Sequence, residues 1–501
     1  MNTVRTTFFT GALLVLSLDV SSQSHNYWTR SFNEESSLLS GAVVGSGSGP
    51  SAIYYNPANI SEVKASSFSI NASLFSFNFI QQKNALGDDI DLSDSKVKVE
   101  PRFLSYMLKS KKNPNWSFEV AFLNNENVET DFTRSVEERI DILSQEPGIE
   151  RYFAYYQYGN KFRDDWLCAG ASLQLNEHLY LGLGVFVIIK SLEYSTALNI
   201  EAYNTGDSVN IRNMQGGYAA AQTTENLSFN DYRISSKFGI TYKQGLWSIG
   251  LCITSPSVGN IYSDGKEIAH KQTQINIYDP EAGEPVPDYS IIDYKEKKEM
   301  TISFKTPFSI AAGFTYHLKD GKRILYASGE YFAGLDPYRM VQADESADIA
   351  SGSGFDDIIY TEWLTIVAGA RPVFNVALGY SWTLKKDLFL RAGFRTDFNY
   401  QKNVDFGEFT GYPKIENVDL DLYYLTCGLS WNIRGQNLIT GLQYSTGRTG
   451  NQKQIANITE PMEYSSVENL PLQGDPKNDM ISLKNTITVY FGASINFGGE
   501  K

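Results

Sequence analysis

The run Ile487-Thr488-Val489-Tyr490-Phe491-Gly492-Ala493-Ser494-Ile495-Asn496-Phe497 decides the fold. Its alternate positions Ile487, Val489, Phe491, Ala493, Ile495 and Phe497 are apolar. Between them stand Thr488, Gly492, Ser494 and Asn496, small or polar, with Tyr490 the one large ring. Successive side chains of a strand point to opposite faces, so this run has one oily face and one wet face. The same two-sidedness separates Tyr423, Leu425, Cys427, Leu429 and Trp431 from Thr426, Gly428, Ser430 and Asn432. It also separates Trp247, Ile249, Leu251 and Ile253 from Ser248, Gly250, Cys252 and Thr254.

Working outward, such segments recur near 66–79, 99–109, 115–127, 163–176, 178–191, 228–243, 246–258, 302–318, 322–335, 370–384, 387–400, 421–433, 436–447 and 484–497. Each is at least as long as the roughly 9–11 residues a tilted strand needs to cross a bilayer. Short polar turns fall at Lys111–Asn115, Asn176–His178, Lys243–Gly245, Lys319–Gly321, Lys385–Asp387 and Arg434–Gln436. Longer stretches alternate with them, near 80–98, 128–162, 192–227, 259–301, 336–369, 401–420 and 448–483. Tight periplasmic turns and long outer loops mark a barrel of the bacterial outer membrane, and a soluble sandwich has no reason to keep that order. Residues 66–501 therefore read as an all-β, antiparallel transmembrane barrel of about 14 strands.

Composition agrees. Only 42% of the 501 residues are hydrophobic, yet there are 31 Tyr, 29 Phe and 40 Gly. After the first twenty positions no apolar run reaches the length of about 18 residues that a membrane helix needs. The formal charge of −14 argues against a nucleic-acid partner, which would require clustered Lys and Arg. Acidic runs such as Gly87-Asp88-Asp89-Ile90-Asp91 and the stretch 336–348 read as solvated loops without EF-hand spacing. Cys168, Cys252 and Cys427 lie far apart inside strand-like runs and read as wall residues rather than a disulfide or zinc set. With only His25, His178, His270 and His317 and no Gly-x-Ser-x-Gly elbow, no nucleophile–base pair is expected, and so no catalysis, metal or cofactor.

Residues 1–22 read as a signal peptide: Arg5, then an apolar core from Phe8 to Leu18, then Ser21 and Ser22. Residues 23–65 do not alternate. They hold Trp28, Phe32, Leu38 and Leu39, the glycine-rich run from Gly41 to Pro50, and Ile53-Tyr54-Tyr55-Asn56-Pro57-Ala58. The Gly-x-Gly-x-Gly pattern lacks the strand and helix of a nucleotide loop. Folded back into the barrel, this segment would fill the lumen, with glycines allowing close approach to the wall.

Here the chain resembles the long-chain fatty-acid transporter (FadL/TodX-type) family. The carrying residues are Asn33-Glu34-Glu35 through Gly41, then Ser51-Ala52-Ile53-Tyr54-Tyr55-Asn56-Pro57-Ala58, similar to an amino-terminal hatch ending in an Asn-Pro-Ala motif. Phe238 to Gly250 with Ser255-Pro256, and Thr306-Pro307-Phe308 to Tyr316, resemble its strand–turn–strand pattern. The terminal aromatic, Phe497, resembles the residue by which barrels are recognised for insertion. The resemblance implies that an oily ligand enters a lumen pocket, that the hatch shifts, and that the ligand leaves sideways beside a kinked third strand. Asn56, Pro57 and Ala58 would then sit beside that gap, facing Trp116 to about Asn125; read without the resemblance, they are an ordinary turn into the first strand.

Strand phase turns Glu119, Lys237, Glu330, Arg371, Arg391, Arg395 and Asp397 inward. Lys237, Arg371 and Arg395 are candidate ligand-binding cations, since Arg offers a carboxylate a two-pronged fork. Equally, these cations could hold the hatch or neutralise Glu119, Glu330 and Asp397. Arg391 and His317, near the turns, are expected to contact the hatch, as are Glu119 and Glu330. Val136, Ile140 and Leu143 recur at helical spacing, and the aromatic run Tyr152 to Tyr158 reads either as a docking surface or as part of the interfacial girdle. In strand one, Phe68 and Ile70 change phase with Phe75, Phe77 and Phe79, which implies a bulge or an exposed extension. Expected partners are a hydrophobic small molecule, outer-membrane lipid and, in a second reading, proteins docking on loops 192–227 and 259–301.

Overall fold

The computed structural model describes residues 25–47, 49–62, 66–146, 148–204, 217–287, 290–294, 301–342, 365–410, 412, 414–415, 418–433 and 436–496. The signal-peptide reading and Phe497 fall outside them.

Among the described residues fourteen strands form the closed ring: β1 Ser67–Lys83, β2 Leu92–Lys109, β3 Trp116–Ile140, β4 Glu150–Gln174, β5 Leu179–Asn204, β6 Tyr218–Gln244, β7 Trp247–Thr254, β8 Ser309–His317, β9 Arg323–Phe332, β10 Val373–Lys385, β11 Leu388–Asp397, β12 Leu422–Ile433, β13 Gln436–Gln452 and β14 Met480–Asn496. Each pairs antiparallel with the next, and β14 pairs with β1, from Ser67↔Asn496 to Lys83↔Ile481. The ring closes, so every wall strand has a neighbour on both sides.

Burial is inverted relative to a soluble protein. Along β7, Ser248, Gly250, Cys252 and Thr254 are buried while Ile249 and Leu251 are exposed. The same holds for Leu425, 62% exposed, against buried Thr426, and for Phe491 against buried Tyr490. A continuous oily exterior over a polar interior is stable only where lipid replaces water outside. The phase change in β1 is absorbed by a bulge: pairing with β14 skips from Ser73 to Phe75, which keeps Phe75, Phe77 and Phe79 on the exposed face with Ile70. Cys427 faces outward, while Cys168 and Cys252 are buried.

Strands β3 to β6 run for 25 to 27 residues, over twice a bilayer crossing; the surplus stands clear of the membrane at the end with the long connections. Its inner face carries Phe132, Tyr152, Tyr156, Tyr158, Leu192 and Phe229, packed with Leu86, Ile458 and Leu472 from neighbouring loops. This corrects the helical reading near 134–158, because β3 continues to Ile140 and β4 begins at Glu150. For three of its tyrosines it also corrects both readings of the aromatic run. Tyr152, Tyr156 and Tyr158 are neither a docking surface nor a girdle; they are buried core of an outer cap.

Residues 25–62 lie inside the ring. Their hydrogen-bond partners are on β3, β4, β6, β7, β9, β11 and β12, positions that only a segment within the bore can reach together. It is built of the short helices α1 Glu34–Leu38, capped by the Asn33 side chain, and α2 Ala52–Tyr55, followed by a 3-10 turn Pro57–Glu62. Phe32, Leu38, Leu39, Val43, Ile53 and Ile60 are fully buried. This is why Phe186 and Ile188 on the inner face of β5 are apolar too: lipid covers one side of that run and the segment covers the other.

Candidate functional site

Asn56-Pro57-Ala58 is seated on wall positions that lack side chains. A Cβ on Gly239 would collide with Asn56 Oδ1, and one on Gly182 with the Pro57 backbone. Asn56 Nδ2 donates to the Val44 carbonyl at 3.0 Å and to Thr241 Oγ1 at 3.0 Å, and its Oδ1 accepts from Ala58 N. These three residues therefore face β4 to β7 rather than the third-strand gap at which they were expected.

The segment reaches β3 elsewhere. In β3, pairing with β4 passes from Asn124↔Asp165 to Glu126↔Asp164, leaving Asn125 as an extra residue. Arg30 bonds Asn124 Oδ1 and, at 2.9 Å, the Asn127 carbonyl. Thr29 Oγ1 donates to the Asn125 carbonyl, and the Tyr54 hydroxyl donates to Asn125 Oδ1. Above the bulge the wall changes character. The β2–β3 ladder ends at Phe103↔Leu123, although β1 and β2 stay paired to Gln82↔Leu92 and β3 and β4 to Ile140↔Glu150. Pro101, which has no N–H to give, lies just beyond the last pair. Side chains bridge the two strands there: Lys96 to Glu129 and Asp131, and Lys98 to Glu129 at 3.6 Å.

Beneath the outer cap lies a cavity. Aromatic and aliphatic groups dominate its lining, among them Tyr27, Tyr54, Phe162, Trp166, Phe304, Phe332, Met340 and Ile415. Tyr27 is stacked between Phe332 and Tyr400, at centroid distances of 4.2 and 4.4 Å. Three cations, Lys190, Lys237 and Lys305, meet three carboxylates, Glu126, Asp164 and Glu330, so the lining is formally neutral. Lys237 Nζ donates to the Tyr54 carbonyl at 2.8 Å and lies 4.2 Å over the Tyr54 ring; Lys190 Nζ lies 4.1 Å over Phe304. Asp164 accepts from Asn125 Nδ2 and Trp166 Nε1. In the loop strand Leu335–Gln342, burial pushes the Tyr338 hydroxyl up to about 12, so it stays neutral at the cavity rim.

Of the three cations expected at a ligand site, only Lys237 lines this cavity. Arg395 is 1% exposed, donates to Ser31 Oγ and the Thr29 carbonyl, and lies 4.1 Å over Tyr424. Arg371 donates to the Asn399 carbonyl and sits 3.7 Å from Asp421. Both are occupied with protein groups. Glu119 accepts from Ile53 N, Glu330 from Trp28 Nε1, and Arg391 pairs with Glu35 at 3.1 Å, so these three touch residues 25–62. His317 is exposed at the end of β8, and its backbone N–H donates to the Leu246 carbonyl. Missing from the sequence reading were Lys190 and Asp164, which lie in phase with inward neighbours, and Phe304, Tyr338 and Tyr400, which lie in connections outside the wall strands.

A closed antiparallel barrel with lipid-facing apolar walls and a chain segment in its bore defines a transmembrane barrel with an internal cavity. Its fold is shared with solved outer-membrane transporters. Against the Pseudomonas putida toluene transporter TodX the chain has a TM-score of 0.52 at 14% identity, with 96% of this chain and 99% of that one covered. Against a Pseudomonas aeruginosa FadL homologue the score is 0.55 at 11% identity, covering 94% and 100%. Against the Ralstonia pickettii toluene transporter TbuX it is 0.51 at 12%, covering 93% and 98%. No protein-family model matches the chain, and no curated protein matches it in sequence.

Proposed function

We infer that this chain admits small hydrophobic molecules through the outer membrane of a Gram-negative bacterium, with residues 25–62 acting as a hatch. The formally neutral, aromatic-lined cavity inside a closed barrel carries the reading. A cavity of that kind favours an uncharged apolar ligand, and such a ligand gains by passing from pocket to hydrocarbon without crossing water. The barrel holds no energy source, so movement runs down the concentration gradient. Lateral exit is supported by the missing β2–β3 ladder beside the Asn125 bulge, where Thr29, Arg30 and Tyr54 meet the wall. Toluene, the ligand named for two proteins of the same fold, is the first probe. Cells displaying the full chain should take up labelled toluene faster than cells carrying the empty vector. Equal rates, with folded barrel present in the outer membrane, would remove the transport reading.

A second reading, a membrane subunit of a larger envelope complex, draws support from the tall outer sheet of β3 to β6. Stoichiometric co-purification of a partner that binds this sheet, from a strain whose toluene uptake is unchanged on deletion, would favour it.

A further inference from the structure

A second cavity lies on the other side of residues 25–30. His25, Asn26 and Tyr27 face the first cavity, and Thr29 and Arg30 face this one. Its chemistry is opposite. Arg30, Lys98, Arg102 and Lys484 line it against a single carboxylate, Glu129, a formal excess of three positive charges. Its remaining walls are mostly hydroxyls and amides such as Ser76, Asn78, Thr486 and Thr488.

We propose that this second chamber is a binding site for an oxyanion, a carboxylate or a phosphate, distinct from the neutral cavity. Four like charges facing one space repel each other, and the repulsion is strong where the dielectric is low. An anion removes that repulsion, and rings of Arg and Lys serve this purpose in anion-conducting pores. Lys484 supplies a specific anchor: its ammonium makes no hydrogen bond or close ion pair among the described residues, and the carboxylates Glu126 and Asp397 act on it only from a distance. Hydroxyl and amide donors around it complete a shell of the type that holds carboxylate or phosphate oxygens. Neutral lumen walls would not need this bias, and the first cavity, balanced three against three, does not have it.

The chamber also abuts the stretch where β2 and β3 are unpaired: Lys98 of β2 and Asn127 and Glu129 of β3 line it. An anion therefore has two possible sources, free solute from outside or the head group of an anionic lipid entering through the wall.

The full-length protein in neutral phosphatidylcholine nanodiscs is titrated calorimetrically with inorganic phosphate. In a second arm it is reconstituted with added phosphatidylglycerol, and the retained lipid is counted by native mass spectrometry. Saturable phosphate binding, weakened about tenfold in Lys484→Gln and in Arg102→Gln and kept in Lys484→Arg, supports the site with a free anion as ligand. Selective phosphatidylglycerol retention, lost in the same two variants, supports it with a lipid source. No saturable binding of either probe, or binding indifferent to both substitutions in protein that keeps its barrel circular dichroism, overturns the proposal. Toluene uptake does not enter these readouts, so this site and the transport reading fail separately.

Discussion

Arg395 shows how one residue's role passes from chemistry to architecture. Its phase in β11 points it inward, but its guanidinium is taken by Ser31, the Thr29 carbonyl and the Tyr424 ring. Arg395→Ala removes two charge-assisted bonds, a cost of about 3 kcal/mol, borne by the seating of residues 25–31 rather than by the barrel. Hydrogen exchange should accelerate in that segment while the strand amides stay protected. The wall glycines make the complementary case. Gly239→Val places a branched side chain where Asn56 Oδ1 sits, so the Asn56 bonds to Val44 and Thr241 are lost while the β6–β7 ladder remains. Limited proteolysis should then cut within residues 40–62 of the variant and leave them intact in the unsubstituted chain.

At the scale of the element, the bulge at Asn125 and the short ladder between β2 and β3 belong together. An extra residue re-aims a strand and ends its pairing, and Pro101 removes one donor from the neighbouring strand. Deleting Asn125 restores even register from Asn124 to Glu126. The expected outcome is a folded barrel whose toluene uptake falls to the empty-vector rate. Unchanged uptake in the deletion variant would discard lateral exit and leave the cavity without a sideways route. The ion pairs from Lys96 and Lys98 to Glu129 and Asp131 stitch the same stretch with side chains in place of a ladder.

For the whole molecule, stability depends on which solvent each face meets. Phe491→Arg puts a charge on the lipid face and should cost about 2–4 kcal/mol near the bilayer midplane, less toward the interface. Thr488→Arg, three residues away on the buried inner face, should cost little in bilayer insertion and instead crowd the polar chamber. Urea unfolding in lipid vesicles measures both, and the lipid-face variant should lose the larger share of stability.

Alternation in runs such as Ile487 to Asn496 settles the antiparallel barrel without coordinates. Side chains of a strand alternate strictly, and lipid on one side with a polar bore on the other writes that period into the residues. The phase change at Phe75 was legible for the same reason, and so was the contact of Glu119, Glu330 and Arg391 with the amino-terminal segment, since inward charges near a filled lumen have little else to meet. Only the tertiary structure decided which cations stay available to a ligand. Lys190 and Lys237 reach the cavity while Arg371 and Arg395 are spent on protein groups, because the answer depends on where the non-periodic residues 25–62 and the outer connections come to rest. Those stretches carry no repeating pattern. Their positions follow from the space that the closed wall leaves and from the glycines that let backbone press against it.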